Sequence, residues 1–98
     1  MQVCEFISAP KSISEGEAES TWNGTKLVDS IRCDLYIEFD KRSKNPEWAN
    51  LLGEIQVSPK VSKLRILVSN IPTSLEGEVR EVVQQEIIKI RKNLGWAI

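Results

Sequence analysis

The chain contains no histidine. That removes the commonest general base, the commonest metal ligand and the side chain that titrates nearest neutrality. A Ser-His or Cys-His nucleophile pair cannot be built within such a chain. Cysteine is scarce too. Cys4 and Cys33 are the only two, too few for the disulfide framework of a small secreted domain. Without histidine they cannot complete a tetrahedral zinc site within one chain. The five glycines are scattered, with no G-x-G or G-K-[ST] run to cradle a phosphate. No apolar run approaches the roughly 20 residues that span a bilayer. Glu15, Glu17 and Glu19 do not follow the calcium-loop pattern. These absences point away from an enzyme, a metal site, a cofactor or a membrane partner.

What is present describes one globular domain over residues 1–98. Hydrophobic residues make up 41% and charged residues 28%, enough for a single modest core. Thirteen cations face fourteen anions, for a net charge of −1, which is unlike a generally basic nucleic-acid binder. The charge is uneven: residues 1–40 carry three cations against eight anions, and residues 41–98 carry ten against six. Met1-Gln2-Val3-Cys4-Glu5-Phe6 has no basic start and Glu5 breaks its apolar stretch, so no secretory signal and a cytoplasmic location are expected. Both cysteines are then expected as reduced, buried thiols. Asn23-Gly24-Thr25 reads as a turn rather than a glycosylation site.

Residues 2–8 have strand character, and 10–20 read as an acidic loop. The Asn-Gly pair suggests a hairpin, with a weak strand over 17–22. Over 31–39, Ile31, Cys33, Leu35, Ile37 and Phe39 alternate with Arg32, Asp34, Tyr36 and Glu38, which predicts a half-buried antiparallel strand. Asn45-Pro46 followed by Trp48, Leu51 and Leu52 predicts a short helix near 46–52, with Gly53 as a left-handed stop. Residues 54–57 and 64–70 are further strands. Thr73-Ser74-Leu75-Glu76 has capping-box spacing. It leads into a long helix whose stripe is Leu75, Val79, Val82, Val83, Ile87, Ile90 and Leu94, with Gly95 as its C′ residue. The fold expected is a two-layer α+β domain. A mainly antiparallel sheet of about four to five strands would pack against the C-terminal helix.

That frame offers several candidate sites. Asp34 and Glu38, four residues apart on a strand, would lie roughly 13 Å apart, too far for a glycosidase pair at about 5–9 Å. Lys41, Arg42 and Lys44 form one basic loop, and Lys60, Lys63 and Arg65 a second cationic segment; together they give a nucleic-acid reading. Arg32 and Tyr36 on the wet face of 31–39, Trp22 at the expected turn, Ile88 opposite the helix stripe and Trp96 beyond the helix are the candidates for a protein-binding surface. The preferred expectation is a non-enzymatic protein-binding domain, of the inhibitor, immunity, adaptor or accessory-subunit kind, acting by surface occlusion. Nucleic-acid binding is the alternative, and weak self-association is a further possibility through an edge strand or Ile88.

Overall fold

The computed structural model describes residues 1–24 and 26–96; Thr25, Ala97 and Ile98 lie outside the description. The elements run β1 (Val3–Ser8), α1 (Glu15–Gly24), α2 (Leu27–Asp40), α3 (Pro46–Ala49), β2 (Ile55–Pro59), β3 (Lys63–Val68) and α4 (Glu76–Asn93), with 3-10 turns at Leu52–Glu54 and Thr73–Leu75. The sheet is antiparallel with order β1-β3-β2, so β3 is central. Alternation decides its faces. Val3, Ile7, Ile55, Val57, Leu64, Ile66 and Val68 point to the helices and are buried. Cys4, Phe6, Gln56 and Lys63 point the other way, to solvent. The two-layer α+β architecture, the antiparallel sheet, the short helix and the long C-terminal helix are those the sequence predicts.

The sheet has three strands, because two segments expected as strands are helical. Residues 31–39 belong to α2. Ile31, Leu35 and Phe39 are spaced four apart, all are completely buried, and they form its core face. Cys33 and Ile37, which gave the alternating pattern, are exposed surplus apolar residues. The expected strand at 17–22 and much of the acidic loop form α1. Ser14 caps it: its Oγ accepts from the Glu17 N–H at 3.2 Å and donates to the Glu17 carboxylate at 3.3 Å. This side-chain N-cap, with Glu17 at the capping-box position, contributes about 1 kcal/mol. Ala18 and Trp22, again four apart, are the residues α1 buries. Asn23-Gly24 ends this helix instead of turning a hairpin, and the chain re-enters α2 through Lys26 in the left-handed region, φ 59°. The remainder of that expected turn, Thr25, is outside the described residues.

The helix ends follow local chemistry. Asn45 caps α3 by accepting from the Glu47 N–H at 3.0 Å, with Pro46 at the first turn. Gly53 does not adopt a left-handed conformation, and Leu52–Glu54 is a 3-10 turn instead. The capping box expected at Thr73 does not form; residues 73–75 make a 3-10 turn before α4. At the other end, Gly95 has φ 74°. Its N–H bonds to the Lys92 carbonyl at 3.1 Å and the Trp96 N–H to the Arg91 carbonyl at 2.8 Å, a Schellman motif. That motif swings Trp96 back over the core. There it meets Trp22 edge to face, ring centroids 5.4 Å apart. Phe39 and Trp48 form a second such pair at 5.2 Å.

Candidate groove between two helices

α2 and α4 lie side by side over the sheet. Their solvent-facing flanks leave a groove of about 580 Å³. α2 contributes Asp34, Ile37 and Glu38, and α4 contributes Glu78, Glu81, Val82, Gln85, Glu86 and Lys89; Arg42 closes one end. Helical spacing explains the assembly. Asp34 and Glu38 are four apart, as are Glu78 and Val82, and Val82 and Glu86, so each set projects along one line of its helix. The pair dismissed as roughly 13 Å apart on a strand therefore shares a helix face, at about 5–6 Å between Cβ atoms.

The lining is unbalanced: five carboxylates and two cations, around Ile37 and Val82. Both cations are engaged. Lys89 Nζ donates to Asp34 Oδ2 at 3.1 Å. Arg42 donates to the Glu38 carbonyl at 2.6 Å and to its carboxylate at 3.3 Å, and lies 5.5 Å from the Trp48 ring centroid. Lys41 also reaches Glu38, at 3.1 Å. Lys41 and Arg42 together hold the Glu38 carboxyl below its ordinary range. Glu78 and Glu81 form no ion pair among the described residues.

Glu86 is the unusual member. It sits within the apolar stripe of α4, between Val83 and Ile90, and is only 6% exposed. Its Oε1 is buried without a hydrogen-bond partner. Its carboxyl interacts with that of Asp34 across the helix interface. Burial, and then the Asp34 carboxylate, push Glu86 up to about 7. Asp34 moves down, held there first by the Glu86 hydrogen bond and then by Lys89. Two carboxyl groups placed this way resist carrying two negative charges at once. No group of three or more His, Cys, Asp or Glu among the described residues could hold a metal ion. The groove thus combines an excess of negative charge with an apolar flank.

The residues singled out from the sequence are dispersed. Arg32 and Tyr36 are exposed on α2, on the flank away from the groove, with Arg32 3.4 Å from Asp29. Ile88 is exposed on α4, one turn beyond Gln85 and outside the groove. Trp22 and Trp96 are core residues, 1% and 7% exposed, and Trp22 Nε1 donates to the Lys60 carbonyl at 2.9 Å. They offer no free docking surface, because the α1–α2 corner and the Schellman turn fold them inward. The two cationic segments do not merge. Lys41, Arg42 and Lys44 lie at the end of α2, whereas the Trp22–Lys60 bond places the β2–β3 hairpin at its start, about 21 Å away along the helix. Lys63 stacks on Phe6 at 4.4 Å on the open sheet face. Cys4 and Cys33 are free and exposed, not buried: Cys4 is on the open sheet face and Cys33 on the outer side of α2.

Glu86 and the groove were missed because α2 was read as a strand. One signal was available: a carboxylate inside an otherwise apolar helical stripe, three residues from Val83 and four from Val82 and Ile90. No helix among the described residues is long and apolar enough to cross a membrane. Comparison with protein-family models, with curated proteins and with solved structures finds no match, so the reading of this chain rests on its own residues.

Proposed function

We propose that this is a non-enzymatic protein-binding domain whose docking surface is the α2–α4 groove. The observation that carries the reading is the groove's unbalanced lining: apolar Ile37 and Val82 among carboxylates that outnumber their cations. Such a surface suits a partner segment with basic and apolar residues, and charge complementarity would steer its approach and set its register. Occupying that segment would be the means of action. Raised and lowered carboxyl groups side by side also occur in hydrolases. Here Asp34 and Glu86 are neighbours that interact with each other, unlike the separated carboxyls that flank a glycosidic bond. A cytoplasmic setting, where Cys4 and Cys33 stay reduced, fits this reading.

Photo-crosslinking tests it. A crosslinking residue at Val82 should give one discrete adduct with another protein in the cells that make this chain. Ile37→Asp, and the double change Glu78→Lys and Glu81→Lys, should each abolish it, while the same crosslinker at Gln56 on the sheet face should give none. Absence of a groove adduct, or an adduct indifferent to those changes, overturns the reading. An adduct with a second copy of the chain would redirect it to self-association.

A second reading has a narrower basis. Phe6, Lys63 and Arg65 share the open sheet face, where Arg65 Nε is buried without a partner. An aromatic ring beside cations is the elementary unit of a single-strand binder. If oligonucleotides bind there, affinity should fall steeply with salt, and Lys63→Ala with Arg65→Ala should flatten that dependence. An unchanged slope removes the sheet face from consideration. Lys41 and Arg42 are poor probes, since both are tied to Glu38.

A further inference from the structure

We infer that the Asp34–Glu86 carboxyl pair on the floor of the groove is a socket for an arginine side chain carried by the partner protein. The inference rests on the protein-binding reading above and names what the partner must present. Two features carry it. First, Glu86 is a residue only 6% exposed, and one of its carboxyl oxygens is buried without a hydrogen-bond partner. Buried acceptors are almost always satisfied, and an exception calls for an explanation. Second, the groove outside it is electronegative and has an apolar wall, with Glu78 and Glu81 at the rim in no ion pair among the described residues and Ile37 and Val82 along the side.

Arginine fits this better than lysine. A guanidinium presents five donors in a flat fork, is more weakly hydrated than an ammonium, and can address two carboxylates at once. Its three methylenes would lie against Ile37 and Val82. The internal cations do not fill the role. Lys89 is taken by Asp34 and makes no hydrogen bond to Glu86, and Arg42 is held by Glu38 and Trp48. On docking, the Glu86 proton leaves to solvent and the two carboxylates face the cation together.

The docking is therefore linked to pH. The groups that face Glu86 are Asp34 and Glu38 from α2, Arg42 from the following turn, and Lys89 from its own helix, with Glu78 and Glu81 farther along α4. Only ionised Glu86 can receive the guanidinium. Its ionised fraction rises from about one tenth at about pH 6 to about nine tenths at about pH 8. Apparent affinity scales with that fraction, so it should rise roughly tenfold over the interval.

The probe is acetyl-arginine amide, titrated into isotopically labelled protein and followed by amide and side-chain NMR shifts at about pH 6 and about pH 8. Acetyl-lysine amide and acetyl-citrulline amide serve as the cationic and neutral controls. Saturable shifts at Asp34, Ile37, Val82 and Glu86 are expected with arginine, weaker ones with lysine and none with citrulline. The roughly tenfold pH dependence should vanish in Glu86→Gln, with most of the binding. Ile88→Asp, outside the groove, should change neither. Citrulline binding as well as arginine, or arginine shifts confined to other surfaces, overturns the socket. If arginine binds in the groove equally at both pH values and equally to Glu86→Gln, the socket is wrong but the acidic groove still docks cations through its rim. A groove that stays silent to arginine and also fails the crosslinking test loses both readings.

Discussion

Glu86→Gln is expected to raise the stability of the domain by about 2 kcal/mol at about pH 8, and to leave it nearly unchanged at about pH 4. The sign follows from linkage. Glu86 titrates at an ordinary 4.5 in the unfolded chain and at about 7 in the fold. The folded state therefore binds its proton more tightly. That stabilisation is complete below about 4.5 and is lost as pH rises through about 7. The full shift corresponds to on the order of 3 kcal/mol, and the solvent on the groove side reduces it to about 2. Glutamine keeps the shape, can donate to Asp34 and never ionises. Asp34 and Glu38 act in the opposite sense. Both are held below their ordinary range, so their contribution is present above it and is lost as pH falls. The natural chain should then be most stable at mildly acidic pH, with the alkaline limb due to Glu86. Denaturant unfolding of both proteins across that range measures it. An alkaline limb that survives Glu86→Gln would assign it to another group. A substitution that strengthens the fold while abolishing arginine binding would mark Glu86 as retained for what it binds, since sites of function commonly carry such a stability cost.

Trp22→Ala is expected to cost about 4 kcal/mol, close to the whole stability of a small domain. Trp22 ties together three parts of the molecule. Its ring is 1% exposed, it meets Trp96 beyond the end of α4, and its Nε1 donates to Lys60 in the β2–β3 turn. Removing it opens a cavity under α1, whose other fully buried residue among those described is Ala18. It also strands the Lys60 carbonyl without the indole donor. Trp22→Phe should cost less, about 2 kcal/mol, by keeping a ring and losing the hydrogen bond. Tyr36→Ala and Arg32→Ala, on the exposed side of α2, should each stay within about 0.5 kcal/mol. Thermal unfolding separates these: about 4 kcal/mol is a fall in Tm of roughly 20 °C for a chain of this size. A small shift for Trp22→Ala would mean that the α1 corner packs independently of the rest.

The C-terminal helix, the three strands and the Asn45-Pro46 start were legible because each follows a single pattern. The stripe of α4 has no competing period, and Gly95 falls where a left-handed residue is needed. α2 was not legible because its apolar residues satisfy two periods at once. Ile31, Leu35 and Phe39 fit a helix, and adding Cys33 and Ile37 fits a strand. Leu27 and Val28, one turn upstream, extend only the helical pattern, and a longer window would have favoured it. α1 has almost no apolar face and is announced only by Ser14-x-x-Glu17. The groove depended on pairing α2 with α4. Contacts such as Lys89 to Asp34 and Arg80 to Glu5 link residues 55 and 75 positions apart. Nothing local in the sequence specifies them.

The strand order has a consequence for how the chain is made. β1 is synthesised before β3, its partner among the described residues, and 54 residues separate Ser8 from Lys63. At roughly 5–20 residues per second, the ribosome takes about 3–11 s to deliver the partner. During that interval β1 has both edges open and Val3, Phe6 and Ile7 uncovered. The β2–β3 hairpin, by contrast, pairs as soon as it emerges. β1 is therefore the late-docking strand and the point of greatest aggregation risk. Glu5, which ends bound to Arg80 at 2.9 Å, places one charge in the middle of that waiting segment and guards it until α4 arrives.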